Sequence, residues 1–136
     1  VVVADHGMIT ADPQQRIDIA GEPRLSQGVA SIGGEPRCVM LYAEHGENPE
    51  DIAMRWRDFL EERAQVRTRA EAIAQGVYGP VEPYVEPMLG DVIVSAAQSV
   101  TIVDSRTQAE KATHLPSVHG SLTMLESDIP CLIDMA

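Results

Sequence analysis

The chain opens with Val1-Val2-Val3-Ala4-Asp5-His6-Gly7-Met8, and this stretch does most to decide the fold class. A continuous β-branched run such as residues 1–4 is typical of a strand that is buried on both faces, as in a parallel sheet. Gly7 then permits a sharp exit from the strand. Asp5 and His6 therefore lie at the carboxyl end of a buried strand, which is where open α/β sheets place their ligand sites.

The strand signals in the rest of the chain are short. They lie at residues 16–20, 29–32, 37–42, 65–67, 91–97, 99–104 and 129–135. The stretches 91–97 and 99–104 alternate well enough to predict a β-hairpin that turns near Gln98. Residues 9–36 and 106–117 are otherwise polar and rich in turn residues, which predicts loops.

Three helix starts carry capping signals. Asn48 can cap a helix whose first residue is Pro49, and Ile52, Trp56, Phe59, Leu60 and Arg63 fall at helical spacing along one face of it. Thr68 and Glu71 form a capping box for a second helix that ends at Gly76. Thr123 and Glu126 form another box, which opens one helical turn. The pattern as a whole predicts a mixed α/β chain.

Composition limits the classes of partner. The chain has 136 residues, with 10 Lys and Arg against 21 Asp and Glu, and its net charge is −11. Such a surface repels phosphate backbones, so we expect no binding to nucleic acid or to anionic membranes. No apolar run is long enough for a transmembrane helix. A bound cation could still attract a small anionic substrate, because the charge of the ion dominates its site.

The two cysteines, Cys38 and Cys131, lie in apolar stretches. Buried free thiols are favoured over a disulfide, although pairing stays open because two cysteines carry no spacing signature. No leader sequence is visible. The compartment is unknown, with the cytoplasm slightly favoured.

Two short motifs could carry chemistry. Asp5-His6 offers a carboxylate and an imidazole, both of which suit zinc, and His119 precedes a glycine and a helix start that would fix its side chain. Each motif also has an interpretation without chemistry. Asp5 can be a capping aspartate beside a surface histidine, and His119 can be an ordinary loop histidine. His45 and His114 are interpreted as surface histidines. No serine sits in a nucleophile elbow, and no glycine loop matches a phosphate-binding motif.

Taken together, three stretches resemble the alkaline phosphatase superfamily in its nucleotide pyrophosphatase/phosphodiesterase branch. The strand and D-H-G-M at residues 1–8 resemble a metal-binding motif of that branch. His119-Gly120-Ser121-Leu122-Thr123, with Glu126 and the strand 129–133, resembles its last metal-binding histidine and closing strand. Residues 90–94 resemble its penultimate core strand.

This resemblance implies a two-zinc phosphoryl transfer. A Thr or Ser alkoxide attacks phosphorus, and the covalent phospho-enzyme is then hydrolysed. Asp5 and His6 would bind the zinc that holds the nucleophile, and His119 would bind the other. Ser121 and Thr123 would serve the turn and the helix cap. The family's nucleophile and remaining ligands come from upstream of D-H-G-M, so we expect the C-terminal part of such an enzyme, with no catalytic residue, weak or no metal binding and no turnover alone.

The expected architecture is therefore the C-terminal part of an alkaline-phosphatase-like α/β sheet with an inserted α+β lid. Residues 1–20 would form the core strand and metal-ligand loop, 21–87 the lid-like subdomain, and 88–136 the returning core strands. The substrate would be a nucleotide-like or other phosphate ester, with a phosphomonoester, phosphonate or sulfate ester as alternatives. A non-enzymatic α+β interaction domain is the other class. Loss of neighbours beside residues 1–4 would favour self-association.

Overall fold

A computed structural model describes residues 1–134 and builds them around a four-stranded antiparallel sheet. The strands are β1 (Val2–Val3), β2 (Ile9–Thr10), β3 (Arg16–Asp18), β4 (Val29–Glu35), β5 (Cys38–Ala43), β6 (Ala64–Thr68), β7 (Val92–Ala96), β8 (Thr101–Val103), β9 (Ser117–Val118) and β10 (Cys131–Leu132). The helices are α1 (Pro23–Ser26), α2 (Pro49–Leu60), α3 (Arg69–Ala74) and α4 (Met124–Ser127).

The four-stranded sheet has the order β4-β5-β7-β6, and every neighbouring pair in it is antiparallel. β6 lies at an edge of the sheet and contains residues 65–67, for which a strand is predicted. β7 lies between β5 and β6 and is buried along its whole length. The segment 29–68 therefore supplies three strands of this sheet, and these belong to the predicted lid at residues 21–87. The fourth strand, β7, belongs to the predicted core segment at residues 88–136. The division between lid and core stays a prediction.

The predicted long helix is confirmed as α2, which packs on β6 and β7. The side-chain oxygen of Asn48 accepts a hydrogen bond from the backbone N–H of Glu50 at 3.1 Å, and Pro49 is the first helical residue. Ile52, Trp56 and Leu60 are fully buried. Trp56 also donates its indole N–H to the carbonyl oxygen of Leu25 at 3.1 Å, which ties α1 to α2.

The predicted capping box of α3 is confirmed as well. The N–H of Glu71 donates to the Thr68 hydroxyl oxygen at 3.3 Å, and the N–H of Thr68 donates to the Glu71 carboxylate at 2.8 Å. Both partners lie within three residues of each other, so local sequence specifies the geometry.

The prediction of an N-terminal strand buried on both faces of a parallel sheet is wrong. β1 contains only Val2 and Val3, pairs antiparallel with β10, and exposes 65% and 58% of those two residues. A β-branched run raises strand propensity, whereas burial on both faces needs covering layers on each side. Within residues 1–134, β10 is the one strand that pairs with β1.

The predicted hairpin at 91–97 and 99–104 is also wrong. The chain does turn at Gln98, which has a φ of 46°. β8 then leaves the four-stranded sheet and pairs in parallel with β3. The N–H of Ile102 donates to the carbonyl oxygen of Pro36 at 2.8 Å, so the segment after the turn is held beside the β4–β5 connection instead of beside β7.

Three further segments differ from their predictions in extent. The strand expected at 16–20 ends at Asp18 and is followed by a 3₁₀ turn. The loop expected at 106–117 contains a 3₁₀ turn, Glu110–His114, and leads into β9, which pairs antiparallel with β2. The closing strand expected at 129–135 is reduced to β10, and its last predicted residue, Met135, lies outside the described residues.

The cysteines are both free thiols. Cys38 is half-buried, whereas Cys131 is exposed, so the prediction of two buried thiols is wrong for Cys131. The reason is that β10 is a two-residue strand whose described residues are exposed. No helix within residues 1–134 is long and apolar enough to cross a bilayer.

Candidate metal centre

The imidazole rings of His6 and His119 lie face to face. Their centroids are 3.6 Å apart and their planes are inclined by 14°. The pairing of β2 with β9 explains the contact, because His6 lies shortly before β2 and His119 directly follows β9. In an antiparallel pair, the chain entering one strand lies beside the chain leaving the other. The two motifs from opposite ends of the sequence therefore meet.

The backbone around His6 fixes the tautomer of its ring. Nδ1 lies 2.7 Å from the carbonyl oxygen of Gly7, an acceptor, so Nδ1 carries the proton and donates. In the neutral form of the ring the lone pair is then on Nε2, which lies 3.7 Å from Oδ2 of Asp5. The Asp5 side chain is 89% exposed, and its other oxygen accepts a hydrogen bond from the His6 N–H at 3.1 Å. An imidazole nitrogen and a carboxylate oxygen thus lie side by side at the surface.

The spacing of these two atoms fits a zinc ion. Ligand atoms at about 2.1 Å from a tetrahedral zinc are about 3.4 Å from each other, which is close to the separation of His6 Nε2 and Asp5 Oδ2. A metal-binding histidine usually donates its other ring N–H to a nearby acceptor, and the hydrogen bond from Nδ1 of His6 to the Gly7 carbonyl oxygen is a contact of this kind. Among residues 1–134, however, no group of three or more His, Cys, Asp or Glu side chains has the geometry to enclose an ion. The residues fit part of a metal centre.

A glycine follows each of the two histidines and allows a close approach. A Cβ on Gly7 would lie 1.9 Å from the carbonyl oxygen of Leu125 in α4. Gly120 has a φ of +120°, and a Cβ there would lie 3.1 Å from Cβ of Glu35. Both positions therefore require glycine, and this explains why His-Gly occurs twice in the site.

Glu126 is a buried carboxylate that sequence reasoning assigned to a helix cap. Its oxygens accept hydrogen bonds from Nε and Nη2 of Arg37 at 3.1 and 2.8 Å, from the Ser121 N–H at 3.0 Å and from the Thr123 hydroxyl. Thr123 does precede α4, but its side chain caps no N–H, so the predicted capping box does not form. The ion pair with Arg37 draws the carboxylate away from the cap position.

The electrostatics of Glu126 favour the ionised form. Burial raises the pKa of this carboxyl, but hydrogen bonds from Arg37, Thr123 and Ser121 outweigh burial and hold the pKa below its usual value. The other side of the pair is equally enclosed. Arg37 is fully buried, and its Nη1 donates to the carbonyl oxygens of Ala97, at 3.1 Å, and Val100. The two partners are 89 positions apart, and no local sequence pattern pairs residues at that distance.

The other two histidines lie outside the centre. His45 is exposed, in agreement with its surface interpretation. His114 is exposed too, but its ring contacts the Arg16 guanidinium and lines a cleft of about 410 Å³ beside β3 and β8. Neither His6 nor His119 lines that cleft. The paired histidines are instead accessible from the open surface, with His6 and His119 both half-buried.

Comparison with solved structures finds the same fold in parts of two hydrolases. Murine ectonucleotide pyrophosphatase / phosphodiesterase 5 superposes with a TM-score of 0.69 and 13% identity, covering 93% of this chain and 31% of that one. The inactive form of that protein in complex with AMP superposes with a TM-score of 0.69 and 14% identity, and it has the same coverage of both chains. Phosphonoacetate hydrolase from Sinorhizobium meliloti 1021, in complex with phosphonoformate, gives 0.65 and 18%, covering 94% of this chain and 34% of that one.

These superpositions confirm the predicted fold, because the chain has the mixed α/β fold of the matched part of each of these two proteins. The chain spans about a third of the length of the structures it matches. No family model and no curated protein matches the sequence.

Proposed function

We propose that this chain is the C-terminal part of a zinc-dependent phosphoric ester hydrolase, a phosphodiesterase or nucleotide pyrophosphatase. The observation that carries the proposal is the contact between His6 and His119, whose rings stack at 3.6 Å. These residues belong to the two motifs that resemble metal-binding motifs of one superfamily. A domain used only for protein interaction has no need for two remote histidines and an aspartate at one point.

Each residue has a separate part in this proposal. Asp5 and His6 hold one zinc through Oδ2 and Nε2, and the Gly7 carbonyl oxygen keeps the proton on Nδ1 so that Nε2 stays free. His119, whose ring stacks on the ring of His6, would hold the second zinc. When bound, two zinc ions stabilise negative charge on the attacking and leaving oxygens of a phosphoryl group.

The proposed centre needs groups beyond these three residues. Zinc in proteins takes three or four protein ligands, whereas the chain offers two to one ion and one to the other. The superposed hydrolases are about three times as long as the matched region, since that region is 31% to 34% of them. We therefore propose that the nucleophile and the remaining ligands come from elsewhere in a longer polypeptide. The 136-residue chain alone then binds zinc weakly and turns over no substrate.

A nucleotide-like phosphate ester is the proposed substrate. The superposed phosphodiesterase 5 is in complex with AMP in its inactive form, and a bound cation would attract such an anion despite the net charge of −11. A phosphonate is the second candidate, favoured by the superposition with phosphonoacetate hydrolase at the same coverage. Side chains of the complete pocket would decide between the two.

Zinc titration followed by NMR of the imidazole protons tests the metal site, because NMR detects binding in the millimolar range. We expect the His6 and His119 signals to shift together and those of His45 and His114 to stay. Asp5→Ala should weaken the zinc-dependent shift of His6, because these two residues are proposed to share one ion, whereas His45→Ala is the matched control and should leave the shifts of His6 and His119 unchanged. Equal shifts at all four histidines, or a His6 shift unaffected by Asp5→Ala, would contradict the proposal.

Hydrolysis of nitrophenyl esters tests the reaction. A polypeptide that includes the segment preceding Val1 should hydrolyse bis(4-nitrophenyl) phosphate in the presence of zinc and lose at least about a hundredfold in rate on His119→Ala. The 136-residue chain should show no hydrolysis. A longer polypeptide with no esterase activity in zinc would favour the interaction domain, and preference for the monoester or a phosphonate would change the substrate class.

A further inference from the structure

We propose that the buried ion pair of Arg37 and Glu126 is the positioning device that holds His6 and His119 against each other. The proposed function supplies what the two histidines do, whereas the positioning itself rests on contacts that involve no metal. Glu126 is at the centre of these contacts because its backbone and its side chain reach different parts of the candidate metal centre.

The backbone of Glu126 fixes the chain next to His6. Its carbonyl oxygen accepts a hydrogen bond from the Gly7 N–H at 2.8 Å. Gly7 also lies so close to Leu125 that no Cβ fits there. The residue directly after His6 is therefore seated on α4, and any displacement of α4 moves His6.

The side chain of Glu126 fixes the chain next to His119. Its Oε1 accepts a hydrogen bond from the Ser121 N–H at 3.0 Å, two residues after the histidine. The Ser121 hydroxyl in turn donates to the carbonyl oxygen of Ala96 in β7 at 2.6 Å. Gly120, between them, packs against Glu35 and Arg37. One residue thus holds the segments that follow both histidines.

Arg37 gives Glu126 a fixed position. Its guanidinium donates to both oxygens of Glu126, and it is itself held by the carbonyl oxygens of Ala97 and Val100 next to the sheet. A bidentate pair of this kind has a defined geometry as well as attraction. The pair therefore ties α4 to the four-stranded sheet.

Apolar packing offers α4 little alternative support. α4 has only four residues, too few for a helix to be stable by itself. Glu126 is the only one of Met124–Ser127 that is buried, and Met124 and Leu125 are 76% and 72% exposed. The ion pair and its hydrogen bonds consequently determine where α4 lies, and with it how close His6 and His119 come.

The test is a metal-free NMR measurement on the 136-residue chain and three variants. The readout is the NOE between the imidazole protons of His6 and His119, together with the ring-current shifts that stacked rings give each other. We expect both in the wild type and in Asp104→Asn, the matched control. Asp104 is also a buried carboxylate paired with an arginine, Arg106 at 2.7 Å, but none of its hydrogen bonds within residues 1–134 reaches α4.

Glu126→Gln and the double variant Arg37→Met/Glu126→Met should lose the NOE and the ring-current shifts. The double variant leaves no unpaired buried charge and keeps similar volumes, so it decides the matter if Glu126→Gln does not fold. A folded double variant that keeps the NOE overturns the proposal. Failure of the double variant to fold overturns it too, because the pair would then be a general stabiliser. Since no metal is present, a negative zinc titration leaves this result unaffected.

Discussion

Gly7 donates its N–H to the carbonyl oxygen of Glu126 at 2.8 Å, and through this contact the beginning of the chain meets its end. The consequence is that the D-H-G-M and H-G-S motifs form one unit of structure, although more than 100 residues separate them. The centre is thus built on two short strands, β2 and β9, and on the single turn of α4. Its stability should therefore depend on a few close contacts.

The first prediction concerns the closest of these contacts. Gly7→Ala places a Cβ where only 1.9 Å separates it from the carbonyl oxygen of Leu125, so α4 or the loop of His6 must move. We expect a loss on the order of 2 kcal/mol in the free energy of unfolding, measured with urea. Gly21→Ala is the control, because a Cβ there meets nothing within 4 Å. Equal midpoints for the two variants would show that Gly7 is not tightly packed.

The second prediction is an acid-induced loss of stability that depends on Glu126. Its pKa in the folded chain lies below the ordinary value of 4.5, because the hydrogen bonds from Arg37, Thr123 and Ser121 outweigh burial, which raises it. The unfolded state therefore binds its proton first as pH falls. The stabilisation is complete above pH 4.5 and is lost as the pH falls toward the lowered pKa of the folded chain.

Urea unfolding at a series of pH values measures this effect. Below pH 4.5, the free energy of unfolding of the wild type should fall by up to about 1.4 kcal/mol more per pH unit than that of Glu126→Gln, which has no carboxyl to protonate. Asp104→Asn serves as the comparison, since the hydrogen bond from Arg106 lowers the pKa of Asp104 against the opposing effect of burial. Each variant should remove its own part of the acid dependence. An unchanged slope in Glu126→Gln would mean that folding does not lower the pKa of Glu126.

Local signals predicted α2, α3 and the single turn of α4 but missed α1, which lies in the predicted loop, whereas the sheet and the site depended on distant partners. Asn48 and Thr68 cap their helices as expected because each cap bond spans two or three residues. The expected hairpin beyond Gln98 failed because β8 pairs with β3, more than 80 residues earlier. Alternation of apolar residues reports which face of a strand is buried, not which strand lies beside it.

The site shows the same division. Residue chemistry alone left Asp5 and His119 open to plain structural interpretations, and only the resemblance of their two motifs to one family predicted that they share a site. The sequence pattern singled out Glu126, but it predicted a capping box with Thr123 and not the ion pair with Arg37. A Thr-x-x-Glu spacing predicts a capping box, and only the folded chain reveals that a buried arginine, Arg37, competes successfully for the carboxylate.

The third prediction separates the two thiols. Cys131 is exposed, whereas Cys38 is half-buried and burial raises the pKa of its thiol. Since the thiolate is the reactive form, Ellman's reagent at neutral pH should modify one thiol rapidly and the other slowly. Cys131→Ser should remove the rapid phase and Cys38→Ser the slow one. Two thiols reacting at one rate would contradict the burial of Cys38.

The fourth prediction concerns an apolar strip on β1 and β10. It consists of Val1, Val2, Val3, Leu132 and Ile133, which are between 58% and 83% exposed. Within residues 1–134, β1 and β10 pair only with each other, so the ribbon also has unpaired backbone edges. An exposed apolar surface with open strand edges promotes association between chains.

Sedimentation velocity at increasing concentration should therefore show the 136-residue chain associating. The double variant Val2→Lys/Leu132→Lys should sediment as a monomer, because opposed lysines on directly paired residues repel copies of the chain and remove apolar area. Met88→Lys is the control, since Met88 is 70% exposed but lies outside the strip, and it should associate like the wild type. A wild-type chain that stays monomeric at every concentration would show that this strip alone does not drive association.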